Sequence, residues 1–253
     1  MDPVKSATRT LEVLSFFAEN RHPAALKEIC EVLKYPQSSM TVLLKTLTSI
    51  GYLNYDRSRR LYFPTLRVTS LGEWIPCSLF NKAEILELQR DIFNATGETV
   101  VLAISNDIYV EYVSAIPSLH PLRFDVGVGS TRLIHQSPLG WLLMAQMKPK
   151  DAEKLIMRAD AADHAADSSG KSKASAMEGI EHVHEHGYSY GENTPFLGGA
   201  TLGFVLPVEI NGRPVVLGCG GVIERMRADK DRHIASIQSI LETFNISDVV
   251  SRI

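Results

Sequence analysis

Residues 35–53 read "YPQSSMTVLLKTLTSIGYL", a proline followed by short polar side chains that turn apolar at helical spacing. Met40, Leu43, Leu44, Leu47 and Ile50 recur at steps of three and four, the stripe of a helix laid against a core. Pro36 suits a helix start, where its missing N–H has no partner to lose, and Gly51 can take the left-handed conformation that ends one. The spacing predicts a helix over 36–50. The opposite face carries Gln37, Ser38, Thr41, Val42, Lys45 and Thr48 and no carboxylate, so a polyanion can approach it closely.

The neighbouring segments give that helix a context. "GYLNYDRSRRLYFP" reads as a strand over Tyr52 to Tyr55, a basic turn, and a returning strand over Leu61 to Phe63 stopped by Pro64. Upstream, Ala7, Leu11, Leu14, Phe17 and Ala18 share one helical face, and Leu26, Ile29, Val32 and Leu33 another. Three helices and a hairpin make a winged helix-turn-helix over 1–66, whose second helix of the pair enters the major groove while wing cations meet phosphate. Gln37, Ser38, Ser39, Thr41 and Val42 are the expected base readers, and Lys45, Arg57, Arg59 and Arg60 the expected backbone contacts. The alternatives are a protein-interaction module or a small-molecule sensor whose winged helix does not read DNA. Charge favours nucleic acid: residues 1–80 hold ten Lys/Arg against seven Asp/Glu, the remainder sixteen against twenty-two.

The rest of the chain of 253 residues is long enough for a second domain, expected over 80–253 and joined by a helix at 67–79. Ile85, Leu86, Leu88, Ile92 and Phe93 form a helical stripe. "ETVVLAIS" and "IYVEYVSAI" flank an Asn106-Asp107 turn, "LRFDVGVG" reads as a further strand, and "STRLIHQSPLGWLLMAQM" as a polar loop leading to a buried helix. "GFVLPVEINGRPVVLGCGGVI" is a hairpin about Asn211-Gly212, and a helix around 229–244 follows. This order of elements means an antiparallel α+β domain. Residues 159–176, poor in apolar side chains, are expected to be a surface loop.

Three scattered cysteines, Cys30, Cys77 and Cys219, argue against a disulfide framework, and no apolar run reaches 18 residues; a soluble, cytoplasmic chain without membrane or cofactor partners is the expectation. "GCGG" at 218–221 lacks the Lys and Ser/Thr of a phosphate loop. His182 and His186, four apart in "EHVHEHG", could share a metal ion, yet a last-turn histidine also suits the helix dipole, and no metal is expected. Ser137, His135 and Glu192 could suggest a hydrolase, but no GxSxG elbow accompanies them, so an enzyme is not expected.

Taken in order, "SATRTLEVL", "PQSSMTVLLKTLTSIGYL", "TGETVVLAI", "VGVGSTRLIHQSPLGWLLMA", "HEHGYSYGEN" and "LPVEINGRPVVLGCGGV" resemble bacterial transcriptional regulators of the IclR type over nearly the whole chain. The resemblance implies a GAF-like effector domain, a homodimer or tetramer on partly palindromic operator DNA, and a small organic acid as effector. It places the effector near His135, Gln136, Ser137, Leu139, Trp141, Tyr188, Glu192, Asn193, Gly203, Cys219 and Gly221. Departures from the family pattern are Val42 for a common Arg, Trp141 for a Lys, Gly203 for a Cys, and Cys219 and Gly221 for two serines. They imply a roomier, less polar pocket. With Trp141, Tyr188, Tyr190 and Phe196 as flat walls, an aromatic or extended carboxylic acid is expected, its carboxylate on donors from His135, Gln136 and Ser137.

Overall fold

The computed structural model describes residues 4–72, 83–163 and 173–244. The chain divides into two compact units, Met1–Ser78 and Leu79–Ile253.

In the first unit α1 (Lys5–Asn20), α2 (Leu26–Leu33) and α3 (Gln37–Ser49) enclose one core with the wing strands β2 (Leu53–Asp56) and β3 (Leu61–Pro64). A two-residue strand β1 (Ala24–Ala25) completes a sheet of order β1-β3-β2, a pairing too short to leave a periodic signal. Pro36 is the cap of α3 rather than its first residue, and Gly51 takes a φ of +84° directly after the helix, as a left-handed stop requires. Met40, Leu44 and Leu47 are buried, whereas Ile50, expected on the same stripe, is exposed because the helix has ended and the chain turns away there. The stripe of α1 is rotated from its expected position: Val13, Phe16 and Phe17 are buried and Leu11 is exposed. Phe16 and Phe17 meet edge to face at 5.2 Å, and Phe17 packs against Phe63 of the wing, so two adjacent rings set the rotation. Val32 of α2 is likewise exposed. The short helix α4 (Arg67–Ser70) begins the expected connecting helix at 67–79; the part of it from residue 73 on, with Cys77, lies outside the described residues.

The second unit is built on a six-stranded antiparallel sheet of order β6-β5-β4-β9-β8-β7. Its strands are β4 (Thr99–Asn106), β5 (Tyr109–Ile116), β6 (Thr131–Leu133), β7 (Ser189–Glu192), β8 (Gly199–Ile210) and β9 (Arg213–Val222). Side chains alternate between two cores. Val100, Leu102, Leu217 and Cys219 face a cluster containing Ile85, Leu88 and Ile92 of α5 (Ala83–Thr96) and Met226 of α9 (Ile223–Ala228). Ile237 of α10 (Lys230–Thr243) closes that cluster. Val101, Ala103, Val110, Tyr112 and Val216 face the other, with α6 (Pro138–Ala145), α7 (Pro149–Asp163) and α8 (Lys173–His186).

Three expectations change here. "LRFDVGVG" is extended loop; the strand is Thr131–Leu133, and only Phe124 and Val126 of the run turn inward while Leu122 and Val128 stay exposed. The expected loop at 159–176 is helical at both ends, since Ala159 and Ala176 are fully buried and anchor α7 and α8; residues 164–172 lie outside the described residues. The loop before α6 is not an open polar one but a buried 3-10 turn, Ile134–Gln136.

Candidate nucleic-acid and effector sites

On α3 the outward row is Gln37, Ser38, Val42 and Lys45, all exposed, with Ser39 and Thr41 half-buried beside it. Several hydroxyls are committed: Ser39 Oγ donates to Pro36 O at 3.0 Å, Thr41 Oγ1 to Gln37 O at 2.7 Å and Thr46 Oγ1 to Val42 O at 2.9 Å. Their protons stay on the helix, leaving lone pairs and methyl groups outward. The wing turn is built by Asp56, whose Oδ1 accepts from Ser58 N, Ser58 Oγ and Arg59 N at 2.9, 2.6 and 3.1 Å. These bonds, led by the Ser58 hydroxyl, hold its carboxyl below the usual range. Arg60 takes a φ of +57°, and the turn presents exposed Arg57, Arg59 and Arg60. Among the described residues none of these three, nor Lys45, is in an ion pair.

In the second unit a partly open cavity lies against the sheet. Thr99, Val101, Tyr112, Leu139, Thr201 and Gly218 line it from below and beside, and Phe124, Val126 and the run Thr194-Pro195-Phe196 from the loops. Gly199, Gly220 and Gly221 leave backbone as part of the wall. These glycines differ in what they make room for. A Cβ at Gly199 would sit 2.9 Å from the Phe124 ring and one at Gly218 would meet Leu139 at 2.9 Å, whereas at Gly220 the nearest atom is Thr201 Oγ1 at 3.4 Å.

The loop carrying Phe196 is shaped by Asn193. With a φ of 56°, its Oδ1 accepts from Gly198 N at 2.9 Å and its N–H donates to Gly199 O at 2.6 Å, while Thr194 Oγ1 donates to Gln136 O. Phe196 stacks on Phe124 at 5.2 Å with the planes 12° apart. Arg132 lies over the Phe196 ring, its guanidinium carbon 4.8 Å from the ring centre.

Of the residues expected at the effector, Leu139 and Gly221 reach this wall, as does Phe196. The others stand elsewhere, each for a local reason. Cys219 points to the opposite face of the sheet by strand alternation, and full burial pushes its thiol up to about 12. Tyr188 and Tyr190 share that face: Tyr188 packs against Phe204, and Lys230 lies 4.3 Å over the Tyr190 ring. The space vacated at Gly203 is filled by Leu139, Leu142 and Ser189, and that at Gly221 by the Glu98 carboxylate, which Arg225 grips through two bonds of 2.6 and 2.9 Å. Trp141 is held between Gly179 and Gly191 and donates from Nε1 to His135 O at 3.0 Å, so it braces α6. Glu192 is taken by Arg227 and by the Tyr190 hydroxyl, which hold its carboxyl low. Gln136 donates to Asp163, and His135 and Ser137 are fully buried without a hydrogen-bond partner for their side chains among the described residues. Burial holds the His135 ring below its ordinary pKa. His182 and His186 stack at 4.2 Å, and no group of three metal-ligating side chains occurs among the described residues.

The cavity residues that sequence reasoning passed over include Thr99, Tyr112, Phe124, Val126, Thr194 and Thr201. Only the alternation of Phe124 and Val126 carried a signal, and it had suggested a strand.

The comparisons with known proteins address both units. The sequence profile described as "IclR helix-turn-helix domain" matches residues 6–57, and that described as "Bacterial transcriptional regulator IclR C-terminal" matches 82–206. The transcriptional repressor IclR of Escherichia coli is 24% identical over 243 residues, spanning 90% of this chain and 83% of that protein. The crystal structure of an IclR effector domain from Acinetobacter sp. ADP1 is 35% identical, covering 66% of this chain and 97% of that one with a TM-score of 0.60. The Thermotoga maritima IclR structure, 15% identical, shares the fold over 95% of this chain and 97% of its own, with a TM-score of 0.72.

Proposed function

Because the chain belongs to the IclR family of bacterial transcriptional regulators, we propose that α3 reads operator DNA under control of a small organic acid bound in the sheet cavity. The observation that carries this is the carboxylate-free α3 face beside a turn of three exposed arginines that, among the described residues, form no ion pair. Gln37 and Ser38 keep their side-chain donors for base edges, Thr41 and Val42 offer methyl groups to thymine, and Lys45, Arg57, Arg59 and Arg60 take phosphate. The cavity supports the second half: its walls are chiefly apolar and aromatic with a few threonine hydroxyls, the make-up of a site for a small ligand. An aromatic acid has apolar surface to set against these walls, where a two-carbon acid has little. A homodimer or tetramer on a partly symmetric operator is the assembly that goes with this role.

Salt titration tests the DNA half. Affinity of the full chain for its promoter should fall steeply as salt rises, log Kd moving linearly with log salt. A flat response would remove the phosphate contacts and the reading with them.

A further inference from the structure

The residues lining the cavity include hydroxyls and backbone groups but no formal cation. A carboxylate taken out of water needs a cation or several donors to replace its hydration. We infer that Arg132, which lies over the cavity wall Phe196, is the carboxylate anchor of the cavity and makes it selective for an aromatic acid over a neutral compound of the same shape. The inference rests on the cavity being the effector site.

Register fixes where Arg132 points. It pairs with Val110 across β5 and β6, and Val110 is buried on the cavity face of the sheet, so the guanidinium rises on that face. There it lies against Phe196, itself a wall of the cavity, and its charge acts on the phenol of Tyr112, another wall; burial is the larger influence and keeps that phenol raised. A guanidinium held over a ring gives its charge to the ring face and can still offer N–H donors to a bidentate carboxylate. Only Nη1 has a bond, to Thr131 O at 2.9 Å, and among the described residues no carboxylate pairs with Arg132.

The other nearby arginines are less suited. Arg225 is committed to Glu98 and to Leu122 O at 3.2 Å, and Arg123 is exposed and donates to His120 O. Arg132 is the half-buried one with Nε and Nη2 not engaged in a hydrogen bond among the described residues. A ring seated among Phe196, Phe124 and Leu139, with its carboxylate on the outer side, uses the apolar walls and the cation together.

Benzoate and benzamide, nearly identical in shape and different in charge, test this by calorimetry on the full chain. The wild-type protein should bind benzoate at least tenfold more tightly than benzamide. Arg132→Gln should bring the two within about threefold, with benzoate weakened far more than benzamide, and Arg132→Lys should restore part of the preference. Equal binding of both probes by the wild type, or a preference that survives in Arg132→Gln, overturns the assignment of Arg132 and leaves the cavity as the effector site. Binding of neither probe by the wild type overturns the reading of the cavity as an aromatic-acid site itself.

Discussion

At the scale of single residues, chemistry on α3 separates two kinds of contact. Gln37 has a free amide, so Gln37→Ala should cost on the order of 1–3 kcal/mol on the cognate operator and little on scrambled DNA, while Arg59→Ala should weaken both alike and reduce the salt slope by about one. Binding isotherms on the two duplexes at several salt concentrations check this, and equal losses for both variants would dissolve the distinction. Asn193 poses a different question, because it fixes the turn that presents Phe196. Asn193→Ala places a β-carbon residue at a φ of 56° and removes the acceptor for Gly198 N, together about 1–2 kcal/mol. Effector affinity should fall while DNA affinity of the ligand-free protein does not. A ligand titration beside an operator titration reads both, and an unchanged ligand affinity would mean that the loop holds its shape without Asn193.

At the scale of elements, what the sequence disclosed follows from periodicity. The helix of residues 36–50, the wing, the hairpins about Asn106-Asp107 and Asn211-Gly212 and the terminal helix each carry a repeat of 3.6 or 2 or a turn residue with positive φ, and each is present. The cavity was far less legible. Its walls come from β4, β5, β8, β9, α6 and two loops, and no local pattern announces which side chains will meet across them. Sequence could count Gly203 and Gly221 as lost side chains but not see that Leu142 and Glu98 occupy the space. It could mark Cys219 as a pocket residue by resemblance, yet strand alternation alone turns that thiol away. Packing of α3 makes its own prediction: Leu44 is fully buried in the first core, so Leu44→Ala should destabilise that unit by about 2–5 kcal/mol and abolish operator binding at temperatures where the effector unit stays folded. Thermal melts of the variant with and without effector check it; a loss under 1 kcal/mol would show that the site collapses around the cavity.

At the scale of the whole molecule, buried imidazoles tie stability to pH. His135 and His233 are almost wholly buried, and burial sets both below the ordinary value of 6.5. As pH falls through 6.5 the unfolded chain takes up these protons and the folded chain does not, so stability is full above that value. It declines below, by up to about 1.4 kcal/mol per ring and pH unit, until the folded pKa is passed. Melting of the effector unit should therefore drop between pH 7 and 5.5, and His233→Leu should flatten the slope; an unchanged slope would assign the proton uptake elsewhere. Linkage adds a reciprocal expectation: whatever factor an effector changes operator affinity by, operator must change effector affinity by the same factor. Finally, the stack of Arg132, Phe196 and Phe124 joins groups from β6 and from the loops after β5 and β7 across one face of the sheet. Its consequence is one of timing. Where seating a ring requires the two stacked phenylalanines to part, uptake should level off with rising concentration at the opening rate of their loops rather than follow collision frequency, and the speed with which transcription answers a metabolite would be set by that pair.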